Sequence, residues 1–590
     1  MKAISYQLNN ITSRSAIIVF CFAAYLYFLI LCRYQIIYLE QQQLFQYHSD
    51  YFNRLMIFPA GMAMYFNNFL FQFFYYPWLG ALILASFLLA IYWVISSIIR
   101  HFRVSPCFDF FPLFPVAACC LLMAYYKFNL LWILSFLFSL FIFAGYIRIS
   151  SPLFRYCVGV VGLILSYFFS PSAMFLAAIL FITNELLFSH KKKEKYLSSI
   201  VYLFITGILP WLAWKTIYTV PLSEAFLNGF PYDETLWPLS LVSLSWLMIP
   251  IVLLMIRFHP IVTLKRWMMA LAVVTFVCGG LYYSSDKRHD MLFRMNYELT
   301  EENWTEILRL SREFPVNNHL TTCYTNIALY KTGQMLSHFF DYIQTGPEGL
   351  FLVWRHDFPS AFTASEIFYQ MGFTNEANHW AFEALTISKS GENPFLLKRL
   401  IQNAIINEDY QVARKYLHMF QSTLFYRNWA NDLLSILNDS EQTGNLPWVK
   451  EKRSQWVKND FFSGQIAPAN LPMFLDEHPE NKMAFEYMMM HHLLTKNLNA
   501  FMSLIPRISN YDYSVMPTIF EEAILLYIQL QNDEETYRKY PLKNDTYQRF
   551  NNYVQVSDTY SKAPQLQKQN LEKYFRNTYW FYFQFFMPHQ

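Results

Sequence analysis

The chain has 590 residues, of which 55% are hydrophobic and 19% aromatic but only 15% charged, with a formal net charge of +3. That length exceeds one domain, and the sparse, unclustered basic residues argue against a nucleic-acid partner. The charge is also divided: residues 1–284 hold 17 Lys and Arg against 8 Asp and Glu, and residues 285–590 hold 28 against 34, so a basic apolar half precedes a mildly acidic polar half.

A helix needs about 20 mainly apolar residues to cross a bilayer. Segments near 15–38, 78–99, 110–126, 129–147, 153–169, 172–189, 197–219, 238–257 and 267–284 predict about nine spans. The first is long enough to span and is followed by no small-residue cleavage site, so it reads as a retained signal anchor. Pro210 and Pro250 are expected to kink the seventh and eighth.

Lys and Arg set the expected orientation. With the N-terminus in the cytoplasm, 13 of the 17 basic residues of this half fall on the cytoplasmic side, among them Arg100, Arg103, Arg155, Lys191, Lys192, Lys193 and Lys265. An odd number of spans then places the chain from about 285 onward outside the cytoplasm. In a diderm bacterium this means an inner-membrane protein with a periplasmic domain.

Two outer loops stand out on this topology. Residues 39–77 are too polar to span, with Glu40, Gln41, Gln42, Gln43, His48, Asp50, Asn53 and Arg54, and too aromatic for a plain linker, with Phe69, Phe71, Phe73, Phe74, Tyr75, Tyr76 and Trp78 at the end. They are expected to lie at the membrane surface with the rings in the headgroup layer. The second loop, 220–237, carries Glu224, Asp233 and Glu234. Seven of the eight cysteines lie before residue 285 and read as small apolar packing residues. Cys323 is alone in the second half, so no disulfide can form within it.

From 285 the pattern becomes paired helices. Residues 303–315 show apolar positions at Trp304, Ile307, Leu308 and Phe314, and Pro315 stops the run. Residues 320–335 follow and end near Gly333. In 360–385, Gly372 separates two helices, and Ala377, Trp380, Ala381, Ala384 and Leu385 share one face. The stretch 396–420 has the same shape, with Ala413 placed 36 residues after Ala377. A recurrence of roughly 34–40 residues, with small residues where helices cross, points to a helical solenoid. On Ala328, Gly333, Ala364, Gly372, Ala377, Ala384 and Ala413 the region 303–530 resembles tetratricopeptide-type repeats, without their full consensus. That resemblance implies a concave surface for a peptide or a neighbouring protein. The aromatic tail 574–590 is expected to pack on its own domain; a membrane-interface contact is the alternative.

The chain holds no Walker loop, no GxGxxG after a strand, no HExxH, no GxSxG and no kinase signature. The adjacent His491 and His492 do not share a helix face, so a joint metal site is not expected. No metal and no cofactor is implied.

Glu40 sits where the first span leaves the membrane, where partial desolvation favours a general-base role. The competing reading is a solvated loop acid. The layout, a first large outer loop opening on an acid, a later acidic outer loop and an outer C-terminal domain, resembles GT-C glycosyltransferases. The resemblance implies transfer of a sugar from a lipid-phosphate carrier. Glu40 or Asp50 would be the catalytic acid or base, Asp233 or Glu234 the later-loop acid, and Arg33, Arg54 or Lys215 the carrier-phosphate ligands. Where those enzymes carry an Asp-containing pair, this chain has Glu40-Gln41, and no metal-binding pair is present.

A second resemblance rests on Glu40-Gln41, Leu44-Phe45, Asp50-Tyr51-Phe52, Pro59-Ala60-Gly61, Tyr65, Phe69-Leu70, Gln72-Phe73, Pro77 and Gly80. These look like an uncharacterised family of bacterial polytopic membrane proteins with a helical C-terminal half, which has Pro-Gly-Gly where this chain has Pro-Ala-Gly. The expected fold is therefore all-α: a membrane bundle over 1–284, then a TPR-like solenoid over 285–590. Two functions compete. One is a GT-C-like transferase acting on a lipid-linked sugar. The other is a non-catalytic scaffold that is anchored in membrane lipid and recruits envelope proteins. A transporter is less favoured, because the spans hold few charges and show no inverted repeat.

Overall fold

The computed structural model describes residues 2–102, 106–189, 192–232, 234–258, 266–284, 287–353, 355–388, 390–456, 469, 471–532 and 539–586. Among them there is no strand, and the fold is all-α. The chain forms two compact units, Met1–Asp290 with Ser422–Phe425, and Met291–Gln421 with Tyr426–Gln590.

The first unit opens with α1 (Lys2–Ile30) and α2 (Arg33–Glu40). The predicted span 15–38 is broken: Ser15–Ile30 and Arg33–Glu40 meet at 73°. Arg33 and Gln35 explain the bend. Continuing straight would carry both into hydrocarbon, whereas in α2 Gln35 is buried and donates to the Tyr125 carbonyl at 2.7 Å. Two short helices follow, α3 (Ser49–Met56) and α4 (Gly61–Phe71), and then α5 (Pro77–His101), α6 (Leu113–Met123), α7 (Leu130–Tyr146), α8 (Pro152–Phe169), α9 (Pro171–Phe188) and α10 (Lys192–Thr216). The unit continues through α11 (Leu222–Leu227), α12 (Leu236–Phe258) and α13 (Arg266–Ser284).

Among the described residues, five helices are by themselves long and apolar enough to cross a membrane: Pro77–His101, Pro152–Phe169, Pro171–Phe188, Lys193–Thr216 and Leu236–Phe258. The bent pair at the start would make a sixth. The expectation of nine is corrected accordingly. Phe108–Met123, Leu130–Tyr146 and Leu271–Tyr283 are shorter, and an 11-residue helix such as α6 reaches only about 16 Å. α6 and α7 are apolar because they are largely buried: nearly every side chain of α6 and most of those of α7 lie inside the unit. An apolar run reports burial in protein and burial in lipid with the same residues.

The outward faces separate these cases. Of the apolar stretches in Pro152–Phe169 and Lys193–Thr216 only 28% is buried, and Leu153, Phe154, Leu165, Leu197, Ile200, Leu203 and Phe204 all face outward. Such continuous apolar exposure is what a lipid-facing helix presents. α9 is instead central, packed against α7, α8, α10 and α12.

The second unit begins within α14 (Lys287–Thr300) and runs through α15 (Trp304–Glu313), α16 (His319–Lys331), α17 (Met335–His338), α18 (Phe358–Met371), α19 (Thr374–Ile387), α20 (Pro394–Ile406), α21 (Tyr410–Gln421) and α22 (Arg427–Ile436). From α18 to α22 each helix packs on the next. The small residues at these crossings, Ala361, Ala377, Ala381, Ala384, Ala413 and Ala430, are fully buried, which allows close approach. Gly372 ends α18 with φ +86°, a left-handed turn that lets α19 fold straight back.

Further helices follow: α23 (Ser440–Gly444), α24 (Pro447–Arg453), α25 (Leu471–Glu477), α26 (Lys482–Leu494), α27 (Leu498–Leu504), α28 (Thr518–Gln531), α29 (Asn544–Thr559), α30 (Pro564–Phe575) and α31 (Tyr579–Phe585). The aromatic tail packs within its own unit. Trp580 is buried against Phe550, Tyr553 and Phe575, and its indole N–H donates to the Glu522 carbonyl at 2.8 Å. The Tyr579 and Tyr582 hydroxyls donate to the Leu493 and Leu494 carbonyls.

Candidate functional site

The segment 39–77 folds into a small layer with its own core. Phe45 is 2% exposed and meets Tyr47, Tyr51, Tyr65 and Phe69 edge-on, at ring separations of 5.0 to 5.5 Å. The rings therefore divide. Phe45, Phe71 and Phe74 are interior, while Tyr75, Tyr76 and Trp78 are partly exposed, the two tyrosines against Phe425. Ala60 takes φ +64°, a conformation that favours glycine.

A polar network lies under this layer. Gln43 Nε2 donates to the Asn68 carbonyl at 3.2 Å, Asn68 Nδ2 donates to the Tyr51 hydroxyl at 2.8 Å, and the Tyr47 hydroxyl donates to Gln72 Oε1 at 3.2 Å. Gln43 is buried, and its Oε1 has no hydrogen-bond partner among the described residues. An unpartnered buried acceptor is costly enough to mark a place where a donor is wanted.

The sequence-predicted residues separate into different settings. Glu40 is the last residue of α2 and only 4% exposed, so it is a buried carboxylate and not a solvated loop acid. Its backbone carbonyl accepts from Gln43 N, which puts the two side chains on one turn. Asp50 is the opposite case: its side chain is 81% exposed and lies 3.4 Å from His48 Nδ1 in the first turn of α3. Arg33 and Arg54 are exposed and lie over the Tyr34 and Tyr51 rings. Lys215, near the end of α10, is exposed and lies over Trp214 at 4.3 Å. Glu234 is largely buried and faces Lys127 at 3.8 Å. Asp233 and the basic residues Arg103, Lys191 and Lys265 lie outside the described residues.

The two loops meet at one end of the bundle. Asn228 Nδ2 donates to the Pro59 carbonyl at 2.9 Å, and the Tyr125 hydroxyl is 3.2 Å from Thr235 Oγ1. Below Asn228 lie three buried serines. Ser135 Oγ donates to Ser170 Oγ at 2.9 Å, Ser170 Oγ is 2.9 Å from Ser172 Oγ, and the Asn228 carbonyl accepts from Ser170 Oγ and Ser172 N. Gly229 closes this knot at φ +88°, and a Cβ there would stand 2.3 to 2.9 Å from all three hydroxyl oxygens. Gly229→Ala is expected to cost about 1–3 kcal/mol, from the backbone conformation and the displaced serines. Gly145→Ala is the control, since its Cβ would meet nothing within 4 Å. Thermal unfolding of the two purified variants in detergent checks this: a lower midpoint for the first alone is the expected result.

One charged cluster was not foreseen. Glu185 in α9 is fully buried and pairs with Arg155 of α8 at 2.9 Å. The Tyr146 hydroxyl of α7 donates to Glu185 Oε1 at 2.7 Å and lies 3.2 Å from the Tyr202 hydroxyl of α10. Four helices thus converge on one carboxylate, about 20 Å along α9 from Ser172. The available signal was Glu185 itself, an acid inside an 18-residue apolar helix. In the sequence Arg155 carries only an orientation signal. Among the described residues no group of three or more His, Cys, Asp or Glu is gathered as metal ligands would be.

A family model described as a family of unknown function (DUF6057) matches residues 9–586. No curated protein and no solved structure matches the chain.

Proposed function

Because the chain belongs to DUF6057, a family of unknown function, its own residues have to carry the functional reading, and from them we propose a multi-pass membrane protein that transfers a sugar from a lipid-phosphate carrier, in the manner of a GT-C glycosyltransferase. The observation that supports it is Glu40: a carboxylate 4% exposed, one turn from the unpartnered Gln43 Oε1, at the loop-covered end of a bundle with five helices apolar enough to span. The N-terminus is cytoplasmic in this proposal, from the distribution of Lys and Arg.

In the reaction proposed, an acceptor hydroxyl oxygen attacks the anomeric carbon. The bond from that carbon to the carrier phosphate oxygen breaks, and the phosphate leaves with the electron pair. Glu40 takes the hydroxyl proton. Arg33, Arg54 and Lys215, all exposed, are assigned to the carrier phosphate, and Gln43 Oε1 is an acceptor for a sugar hydroxyl.

The test is complementation of a deletion strain, with lipid-linked sugars and surface glycans measured by mass spectrometry. Glu40→Gln should lower the restored product about 100-fold or more at unchanged protein level, in line with the loss of a general base. Asp50→Asn should leave it nearly unchanged, because that side chain is already in solvent. Full product with Glu40→Gln would end this reading.

The second reading is a membrane-anchored scaffold with a TPR-like solenoid, favoured by the successive packing of α18 to α22. It requires full function with Glu40→Gln, together with envelope proteins crosslinked to the second unit.

A further inference from the structure

The second unit contains a solvent-open cavity of about 540 Å³, a volume in the range of small-molecule sites. Its walls come from distant parts of the chain: Tyr330 and Lys331 at the end of α16, Lys482 and Glu486 on α26, Tyr513, and Lys543 just before α29. Leu336, Val515 and Pro517 add apolar surface.

Three ammonium groups face this space under different restraint. Lys543 Nζ is 3.4 Å from Glu521 Oε1 and donates to the Met516 carbonyl at 3.3 Å. Lys482 Nζ lies 3.8 Å from Glu486 Oε1 and 4.6 Å above the Tyr513 ring. Lys331 meets the Trp304 ring at 6.0 Å, and no acid pairs with it among the described residues.

Glu486 is 5% exposed, and both of its polar contacts fall on Oε1: the Lys482 ammonium and the Tyr513 hydroxyl, which donates at 2.8 Å. No hydrogen bond to Oε2 is present among the described residues, and Glu486 is part of the cavity wall. The groups around this carboxyl are Lys482 on its own helix, Tyr511 and Tyr513 beyond α27, and Tyr330 and Lys331 on α16. Burial pushes its pKa up to about 7, against the smaller lowering effects of Tyr513 and Lys482. Near neutral pH the carboxyl can therefore donate as well as accept a hydrogen bond, and with three lysines beside it the wall is cationic overall.

We propose that this cavity binds an anionic sugar, its phosphate or carboxylate held by Lys331, Lys482 and Lys543 and its hydroxyls by Glu486. Ammonium groups suit an acid group as point charges. A carboxyl able to donate or accept suits a hydroxyl, and the Tyr330 and Tyr513 rings offer flat apolar faces for a pyranose. Free sugar phosphates and uronic acids share this chemistry. The inference does not rest on the transferase reading.

The experiment is calorimetric titration of the purified full-length chain in detergent with glucose 6-phosphate, glucuronate, glucose and inorganic phosphate. Saturable binding of one or both anionic sugars is expected, at least 10-fold tighter than glucose or phosphate alone. A preference between the two identifies the acid group. Lys331→Ala, which breaks no ion pair, should weaken binding 10-fold or more. In the wild type affinity should fall as pH rises through 7, because Glu486 gains charge opposite the anion; Glu486→Gln should remove that fall. No saturable binding, phosphate binding as tight as the sugar phosphate, or an unchanged affinity in both Lys331→Ala and Lys482→Ala would overturn the assignment.

Discussion

Glu366→Ala is expected to destabilise the second unit by about 3–5 kcal/mol, the cost of leaving a buried charge without its partner. Arg399 reaches Glu366 with two parallel hydrogen bonds, Nε to Oε1 and a terminal nitrogen to Oε2, both at 2.8 Å. The side chains are 5% and 1% exposed, so water cannot replace the lost carboxylate. The guanidinium also lies 3.4 Å above the Tyr369 ring, which fixes its place and prevents escape to solvent. Lys452, buried and donating to the Gln370 carbonyl at 3.1 Å, adds a second cation 5.0 Å from the same ring. Removal of Glu366 therefore leaves two buried cations with less compensation. The check is calorimetric unfolding of the variant beside Glu366→Met with Arg399→Leu. The single change should lower the midpoint sharply, and the double should recover most of the loss, because an apolar pair avoids both desolvation penalties.

Glu185→Ala should have the second large effect, in the first unit. It removes the only acid facing Arg155 among the described contacts and two helices' polar anchor at once, since Tyr146 donates to the same carboxylate. The Arg155 side chain is 18% exposed, so part of its charge can reach solvent, and about 3 kcal/mol is the expected loss, at the lower end for a buried pair. Glu185→Gln keeps an acceptor for Tyr146 but not the charge, and should fall between the wild type and alanine. Folded protein recovered from membranes, and its unfolding midpoint in detergent, order the three. Equal behaviour of alanine and wild type would mean that the four-helix convergence on Glu185 contributes nothing to the fold.

Both clusters show what a reading of residues in order misses. Glu185 and Arg155 are 30 residues apart, and Glu366 and Arg399 are 33 apart. Neither separation is a helical or strand repeat, so no periodicity links the partners. Glu40 shows the same limit in another form. The sequence placed it at the end of an apolar run, where solvent and interior are equally open to a side chain. The 73° turn after Ile30 and the contact of Gln35 with the Tyr125 carbonyl are what lay α2 against the bundle and bury it.

What the sequence determined by itself was the all-α class, the contrast between an apolar and a polar half, the amphipathic character of 39–77 and the helical pairs around Gly372. These follow from local composition and the 3.6-residue repeat, which act over one or two turns. The tertiary structure decided the rest. It set how many apolar helices are long enough to cross a bilayer, separating them from helices that are apolar because protein surrounds them. It also chose which charges are buried in pairs, and it assembled a lysine-lined cavity from α16, α26 and the approach to α29. Those outcomes depend on which distant surfaces exclude water from one another, and burial of that kind is a property of the packed chain.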